Sequence, residues 1–393
     1  MTAGRDLDPA TLLAVSGRSN DPHVVNPPIT RGSTHLYVDC AALRAGTRTN
    51  ADGRYFYGRR GGPTQWALAE ALTALEPGAA GTVLYPSGVA AIMGAVLATA
   101  APGDVLLVTD NAYEPSRLMA RGFLERFGIG VRFFDPLDTD GFAAHFCGRT
   151  RAVLLESPGS LTMEVCDVPS LAQIAREHEA AVLIDNTWAT SLGFASLAKG
   201  CDIAIQALTK HVGGHSDLMM GACTAGPAWH PRLRESAQQL GQVVSPDDAA
   251  LALRGLRTMG VRLERATASA LTIAEWLRTR AEVAEVLFPV LPGAPGHDVW
   301  RRDFTGGCGL LTFLLADGYD DDARSRMIDR LDLFGIGYSW GGFESLALPV
   351  DPARIRTATH WPAERLAVRI SVGLEQPQDL IADLERGFSA LGK

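Results

Sequence analysis

Lys210 closes an apolar alternating run, residues 203–208, and stands just before the glycine pair Gly213 and Gly214. A strand ending there delivers the ammonium to the edge of a sheet, where lost hydration and nearby charge lower its pKa and leave a nucleophilic amine. Upstream, Ala181, Val182, Leu183 and Ile184 read as a buried strand that ends in the carboxylate of Asp185. Taken singly, each has an ordinary explanation: a lysine ending a strand is commonly a solvated charge, and an aspartate there commonly a cap. As the ends of two successive strands they make a chemical pair. An amine bonds to an aldehyde carrier, and an acid keeps a pyridine nitrogen protonated so that its ring accepts electrons; the carrier this pair calls for is pyridoxal 5'-phosphate (PLP).

Other residues fit the same chemistry. Ser87, Gly88 and Val89 follow a strand and open a helical stretch over residues 90–98; a helix start offers N–H groups to a phosphate, although a plain serine cap is the common alternative. Tyr57 and Arg59 lie in an aromatic and basic run that otherwise reads as a surface patch, and together they offer a hydroxyl and a guanidinium fork to one phosphate. Thr209 offers a further hydroxyl beside the lysine. Tyr113 follows the strand expected at residues 104–110 and is either a ring stacked on a pyridine or an ordinary strand-end tyrosine. Arg369 is a charge inside the apolar alternation of residues 366–374, where most such residues face solvent. Ser339 and Trp340 precede Gly341 and Gly342, which permit close backbone approach. His211 and His215 stand four apart, yet the glycine pair between them argues against a helix and no glutamate follows the first, so no metal site is expected.

The elements that must position these side chains are legible as short apolar runs alternating with amphipathic stretches. Runs at residues 83–85, 105–108, 131–134, 153–155, 182–184 and 203–208 predict an α/β fold with a mainly parallel sheet covered on both faces. Ligands of such sheets bind beyond the carboxyl ends of the strands, where Asp185 and Lys210 fall. A long helical pattern over residues 247–280 reads as a bridge between two domains. After a loop at 289–296 come a strand at 309–315, a helix at 321–333, a strand at 366–372 and a helix at 377–391, a smaller C-terminal α/β domain. The first fifty-odd residues, with 26–28 and 47–53 expected to lack regular structure, read as an arm. The expected division is an arm at 1–58, a PLP-binding large domain at 59–254 and a small domain at 255–393.

Bulk properties agree with an ordinary α/β protein: 393 residues, 47% hydrophobic and 20% charged. A net charge of −8 argues against a nucleic-acid or anionic-membrane surface. The first eight residues carry two acids and no apolar core, and no apolar run is long enough to span a bilayer, so a cytoplasmic location is expected. Six cysteines without a C-x-x-C pair read as reduced, mostly buried thiols.

The segment 202–216 resembles the PLP-attachment motif of the Cys/Met-metabolism enzymes, the trans-sulfuration family. It departs at His211, where an aromatic residue usually follows the lysine, and at Ala207, where many relatives carry Ser or Thr. The resemblance implies the aspartate-aminotransferase-like architecture known as fold type I, with Lys210 as PLP attachment point and base. It further implies that Asp185 pairs with the pyridine nitrogen, and that Gly88 and Val89 form the phosphate loop. Tyr113 then stacks on the ring and aids proton transfer, and Arg369, assisted by Ser339, clamps the substrate carboxylate. Tyr57 and Arg59 complete a neighbouring subunit's cofactor and substrate pocket, which makes the protein a homo-oligomer, a dimer paired into a tetramer.

Tyr-Ser-Trp-Gly-Gly at 338–342, Tyr-Gly-Arg-Arg-Gly at 57–61, Ala-Tyr-Glu-Pro-Ser at 112–116, Glu-Ser-Pro-Gly-Ser at 156–160 and Arg-Asp-Phe-Thr-Gly at 302–306 resemble the bacterial cystathionine β-lyase branch. Trp340 stands where relatives acting at Cγ commonly carry leucine. The resemblance therefore implies cleavage of L-cystathionine to L-homocysteine, pyruvate and ammonia in methionine biosynthesis. The residues alone do not separate β- from γ-elimination. Cystathionine γ-lyase, γ-synthase and cysteine desulfhydrase stay open as alternatives, and alanine racemisation as a side activity. A PLP-fold scaffold without turnover would lack Lys210, Tyr113 or Arg369, and all three are present.

Overall fold

The computed structural model describes residues 7–46 and 53–392. Valine, leucine and isoleucine crowd the first half into continuous apolar runs, as strands buried on both faces require. These runs form β1 (Gly81–Tyr85), β2 (Val105–Thr109), β3 (Gly130–Phe134), β4 (Thr150–Glu156), β5 (Ala181–Asp185), β6 (Ile203–Ala207) and β7 (Gly221–Ala225). They make one sheet in the order β1-β7-β6-β5-β4-β2-β3. Neighbours from β3 to β6 pair in parallel, while β7 runs antiparallel between β6 and β1.

β7 is absent from the sequence expectation, for a physical reason. Its residues, Gly-Ala-Cys-Thr-Ala, are small and carry neither β-branched bulk nor clear alternation. Smallness is what the position demands: a Cβ on Gly221 would lie 2.3 Å from the Ser87 carbonyl oxygen. Helices Gly88–Thr99 and His230–Gln239 cover one face of this sheet, and helices Pro63–Ala74, Val168–Glu177 and Pro246–Arg257 pack with the core of the other.

The helical pattern expected over 247–280 is two helices, Pro246–Arg257 and Met259–Leu277, broken at Thr258 with φ −109° and ψ 7°. The break lets the Arg262 guanidinium fold back, its Nε donating to Thr258 Oγ1 at 3.2 Å and its Nη2 to the Gly255 carbonyl at 2.6 Å. Periodicity cannot report such a break, because the apolar stripe continues through it.

A second sheet follows, from β8 (Val283–Leu287), β9 (Leu310–Leu315), β10 (Gly335–Ile336), β11 (Leu346–Val350) and β12 (Ala367–Ser371), in the order β10-β11-β12-β9-β8. β12 lies between β11 and β9, antiparallel to both, and sets Arg369 opposite Leu348 and Thr312. β8 and β11 were not expected; the Val-Ala-Glu-Val-Leu of β8 mixes helix formers with strand formers, and Pro349 interrupts the reading of β11. Helix Asp321–Asp329 stops short of the expected residue 333. The Asp383 carboxylate turns the chain there by accepting from the amides of Asp332, Leu333 and Phe334 at 2.9, 2.8 and 3.1 Å.

The N-terminal stretch carries two short helices, Pro9–Val15 and Cys40–Gly46, that the sequence reading did not assign. Residues 26–28 lack regular structure as expected; of the stretch 47–53 only Gly53 falls within the described residues. All six cysteines are free thiols, four of them buried. Among the described residues, no helix is long and apolar enough to cross a membrane.

Candidate active site

Parallel pairing puts the carboxyl ends of β2, β4, β5 and β6 on one edge of the large sheet, and β1 feeds the same edge. Glu156 and Asp185 are register partners at the ends of β4 and β5. Tyr113 lies just beyond β2, the Ser87–Gly88 turn just beyond β1, and Lys210 in the turn after β6. That turn is closed by the Lys210 amide donating to the Ala207 carbonyl at 3.1 Å and the Gly214 amide donating to the Lys210 carbonyl at 2.8 Å. From beneath, Gly255 brings its helix directly against the turn; a Cβ there would sit 2.2 Å from the Val212 oxygen.

The Lys210 ammonium donates to Ser339 Oγ at 2.7 Å and lies 5.3 Å from the centre of the Trp340 ring. Burial, reinforced by the charge of Arg369 and opposed by that of Asp185, pushes its pKa down to about 8. At pH 7 about a tenth of the amine is therefore unprotonated, a few hundred times the fraction of an ordinary lysine at about 10.4. Sequence reasoning expected such a lysine, and the structure adds its hydrogen-bond partner.

Asp185 is enclosed, and its Oδ1 accepts from both the amide of Thr187, at 3.0 Å, and the Thr187 hydroxyl. Thr187 Oγ1 in turn accepts from the Ala207 amide at 2.9 Å, tying β5 to β6 beside the lysine turn. Both donors land on one oxygen, so Oδ2 is left to face whatever enters. Burial raises the carboxyl's pKa, while the Thr187 hydrogen bonds and the Lys210 charge act the other way.

Glu156 received no role from the sequence. Its Oε2 accepts from the Tyr113 amide at 2.7 Å and its Oε1 from Ser160 Oγ at 2.5 Å. Burial, and secondarily the charge of Asp185, pushes its pKa up. Two carboxyl groups in one buried space disfavour double ionisation, so Glu156 is the one kept protonated while Asp185 has Lys210 as counter-charge. A sequence signal existed: an acid ends the apolar run of β4 just as Asp185 ends that of β5.

Arg369 projects from the middle of β12 into the same site. It is half-buried, and the loss of solvation lowers its pKa; its Nη2 donates to the Ser339 carbonyl at 3.3 Å. The Tyr113 phenol feels Arg369, Glu156 and Asp185, with burial as the larger influence raising its pKa. Ser339 holds its position at φ +96°, a strained value for a residue with a side chain. Lys210, Asp185, Tyr113, Ser339, Trp340 and Arg369 are thus brought together.

The residues expected to hold a phosphate are more scattered. Ser87 Oγ accepts from the Ala90 amide at 3.1 Å and its carbonyl from the Ala91 amide at 3.0 Å. The amides of Gly88 and Val89 precede these, belong to the first turn and have no acceptor within the helix. A Cβ on Gly88 would lie 2.7 Å from that of Ala207, so only glycine brings the helix start this close to the lysine strand. Thr209 spends its hydroxyl on Met220, donating to the carbonyl at 3.2 Å and accepting from the amide at 3.0 Å. Tyr57 and Arg59 stand apart. They border a cleft with Arg31, Gln65, Val243 and Val244, and Arg59 Nη1 donates to the Gln238 carbonyl at 2.5 Å. Lys210, Asp185 and Gly88 do not border that cleft.

A depressed amine, a half-buried acid with one oxygen unused and an open helix start in a doubly covered α/β sheet are the attributes of a PLP-dependent enzyme. The chain from residue 10 to 389 matches the family described as Cys/Met metabolism PLP-dependent enzyme, and it belongs to that family. Among its relatives are cystathionine beta-lyase MetC of Escherichia coli (strain K12), 42% identical with 99% of this chain and 100% of that protein covered. The cystathionine beta-lyase of Salmonella typhimurium (strain LT2) is also 42% identical, with 97% of this chain and 98% of the relative covered. Among solved structures, metB from Corynebacterium glutamicum superposes with a TM-score of 0.89 at 28% identity, covering 98% of this chain and 99% of that one. The cofactor of the family is PLP, and the residues present fit it: Asp185 Oδ2 is free for a ring N–H, the Gly88 and Val89 amides for phosphate oxygens, and Lys210 for the aldehyde.

Proposed function

We propose that the protein is a carbon–sulfur β-lyase that converts L-cystathionine and water to L-homocysteine, pyruvate and ammonia. The observation that carries this reading is a half-buried amine of lowered pKa, Lys210, sharing one site with Asp185 and Arg369. When bound, PLP supplies an aldehyde carbon for the lysine and a ring that accepts the electron pair released at the substrate's Cα.

The protein's own residues do the remainder. Asp185 holds a proton on the ring nitrogen, and the Gly88 and Val89 amides take phosphate oxygens. Arg369 binds the substrate carboxylate and, with Ser339, sets the Cα–H bond toward Lys210. Lys210 takes that proton; its lowered pKa matches the amine to general-base work near neutrality. Tyr113 covers the ring face and takes part in proton transfer. Thr209 turns its hydroxyl proton from the Met220 carbonyl to a phosphate oxygen while still accepting from the Met220 amide. Trp340 walls the thioether side, and the choice of β- over γ-elimination is supported by the likeness to cystathionine beta-lyases.

Tyr57 and Arg59 serve the pocket of a neighbouring subunit. Their distance from their own Lys210 site supports this, since they border a separate cleft. The proposal therefore extends to a homo-oligomer, a dimer of dimers, acting in the cytoplasm on a small amino acid. It also includes a division into an arm (1–58), a cofactor domain (59–254) and a small domain (255–393). The large sheet lies within 81–225 and the second sheet within 283–371, with the second boundary crossing helix Pro246–Arg257.

The test is incubation of the purified protein with PLP and L-cystathionine, assayed for keto acid and thiol. Pyruvate with homocysteine is expected, and Lys210→Ala abolishes both. Release of 2-oxobutyrate with cysteine instead assigns the chain to γ-elimination and overturns the reading.

A further inference from the structure

His211 follows the lysine directly and is buried, at 5% exposure. Its imidazole meets the Trp340 indole edge to face, with ring centres 5.3 Å apart and planes at 62°. On the adjoining side, a Cβ on Gly341 would lie 3.0 Å from His211 Nδ1, and Gly341 adopts φ +80°. The residue after Trp340 is thus moulded to the histidine ring, and a side chain there would crowd the imidazole and strain the backbone. The backbone of His211 is pinned as well, its carbonyl accepting from Arg262 Nη1 at 2.8 Å. The imidazole is therefore a fixed wedge between the lysine turn and the Trp340–Gly341 segment.

We propose that His211 is a positioning residue that sets the Trp340 indole beside Lys210 and so shapes the wall against which the substrate's thioether lies. The inference rests on the reading that Trp340 borders substrate. The lysine and the indole share this support, since Lys210 Nζ lies 5.3 Å from the same Trp340 ring that His211 abuts. The ring acts through shape and not through proton transfer. Its Nε2 is buried without a hydrogen-bond partner. Burial first, then the charges of Arg262 and Lys210, push its pKa down to about 3, so it stays neutral wherever the enzyme works. Aromatic edge-to-face contact depends on the presence of a flat ring more than on its nitrogens.

The test compares His211→Ala and His211→Phe in holoenzyme carrying fluorotryptophan, with the Trp340 resonance assigned by its loss in Trp340→Phe. His211→Ala is expected to shift or broaden that fluorine signal and to raise KM for L-cystathionine about tenfold with kcat changed by less than about threefold. His211→Phe is expected to keep the signal sharp, KM within about twofold, and the pH profile of the parent. An unmoved Trp340 signal and unchanged KM in His211→Ala overturn the proposal. So does a His211→Phe protein that loses kcat while its Trp340 signal stays in place, because the nitrogens would then be needed. Should His211→Ala fail to fold, His211→Leu takes its place and is read by the same criteria. A parent protein with no lyase activity defeats the proposed function, whereas the fluorine signal still decides whether His211 holds the indole.

Discussion

The Nζ of Lys210 donates to Ser339 Oγ at 2.7 Å across 129 positions of sequence, joining the edge of the first sheet to a strained residue that leads into the second. One hydrogen bond therefore links the amine to the segment that also presents Trp340 and accepts from Arg369. In cofactor-free protein, acylation of Lys210 at a series of pH values should be half-maximal near pH 8, against about 10.4 for an unperturbed lysine. Ser339→Gly keeps the positive φ without strain and removes the hydroxyl. It should leave the labelling curve in place within about half a unit, because burial is the larger cause. A midpoint at the unperturbed value in the parent protein contradicts the picture of a desolvated amine.

Arg369 sits in the centre of β12 with burial already lowering its pKa, so an incoming carboxylate finds a guanidinium poorly compensated by protein anions. A charge-assisted pair in such surroundings is worth about 1.5–3 kcal/mol, and Arg369→Ala should raise KM for an amino-acid substrate about 10- to 150-fold. Arg369→Lys should recover only part of this, because a point charge replaces a fork. Steady-state kinetics on the two variants decide it: equal KM in parent and Arg369→Ala removes the arginine from the substrate site.

The distance of Arg59 from its own lysine leads to a complementation experiment. Arg59→Ala and Lys210→Ala proteins should each be close to inactive. Mixed, unfolded gently and reassembled, they form hybrid pairs in which one of two sites draws Lys210 from one chain and Arg59 from the other. Random pairing should restore roughly a quarter of the sites. No recovery from well-folded mixed oligomers means that Arg59 serves its own chain or none.

What the sequence displayed and what it concealed follow from the range of the interactions. Lys210 and Asp185 were legible because each ends a continuous apolar run, a local pattern that fixes both strand and direction. Gly88 was legible as a helix start after a strand. By contrast, Asp110 is fully buried and accepts from the amides of Thr357, Ala358 and Thr359 at 3.0, 3.0 and 2.8 Å, contacts that span nearly 250 positions. Arg117 completes the clamp with an ion pair at 2.9 Å. No local pattern marks these residues, since an aspartate after a strand reads as a cap and an arginine in a helix as a surface charge. The loop held this way leads into β12 and so orients Arg369. β7 was hidden for the opposite reason: its small residues answer a packing demand made by Ser87, from another part of the chain.

Glu76 offers a measurement independent of catalysis. Its buried carboxyl accepts from Ser191 Oγ at 2.6 Å and from the Leu197 amide at 2.9 Å, and Ser191 Oγ accepts from Gln206 Nε2 at 2.9 Å. Burial outweighs these hydrogen bonds and raises the pKa to about 7, above the unfolded value of about 4.3. Between those values the folded chain holds a proton that the unfolded chain has released. Stability from this group is thus fully present below the unfolded pKa and lost as pH rises through the folded one. Glu76→Gln stays neutral at every pH but turns an amide toward Ser191, which then has two donors aimed at it and no acceptor for its own proton. The variant should therefore be the less stable protein near about pH 4, and at about pH 8.5 should equal or exceed the parent, the difference between them closing by about 1–3 kcal/mol across that range. Urea unfolding of both proteins at several pH values measures it; parallel stability curves show that the carboxyl ionises alike in folded and unfolded chains.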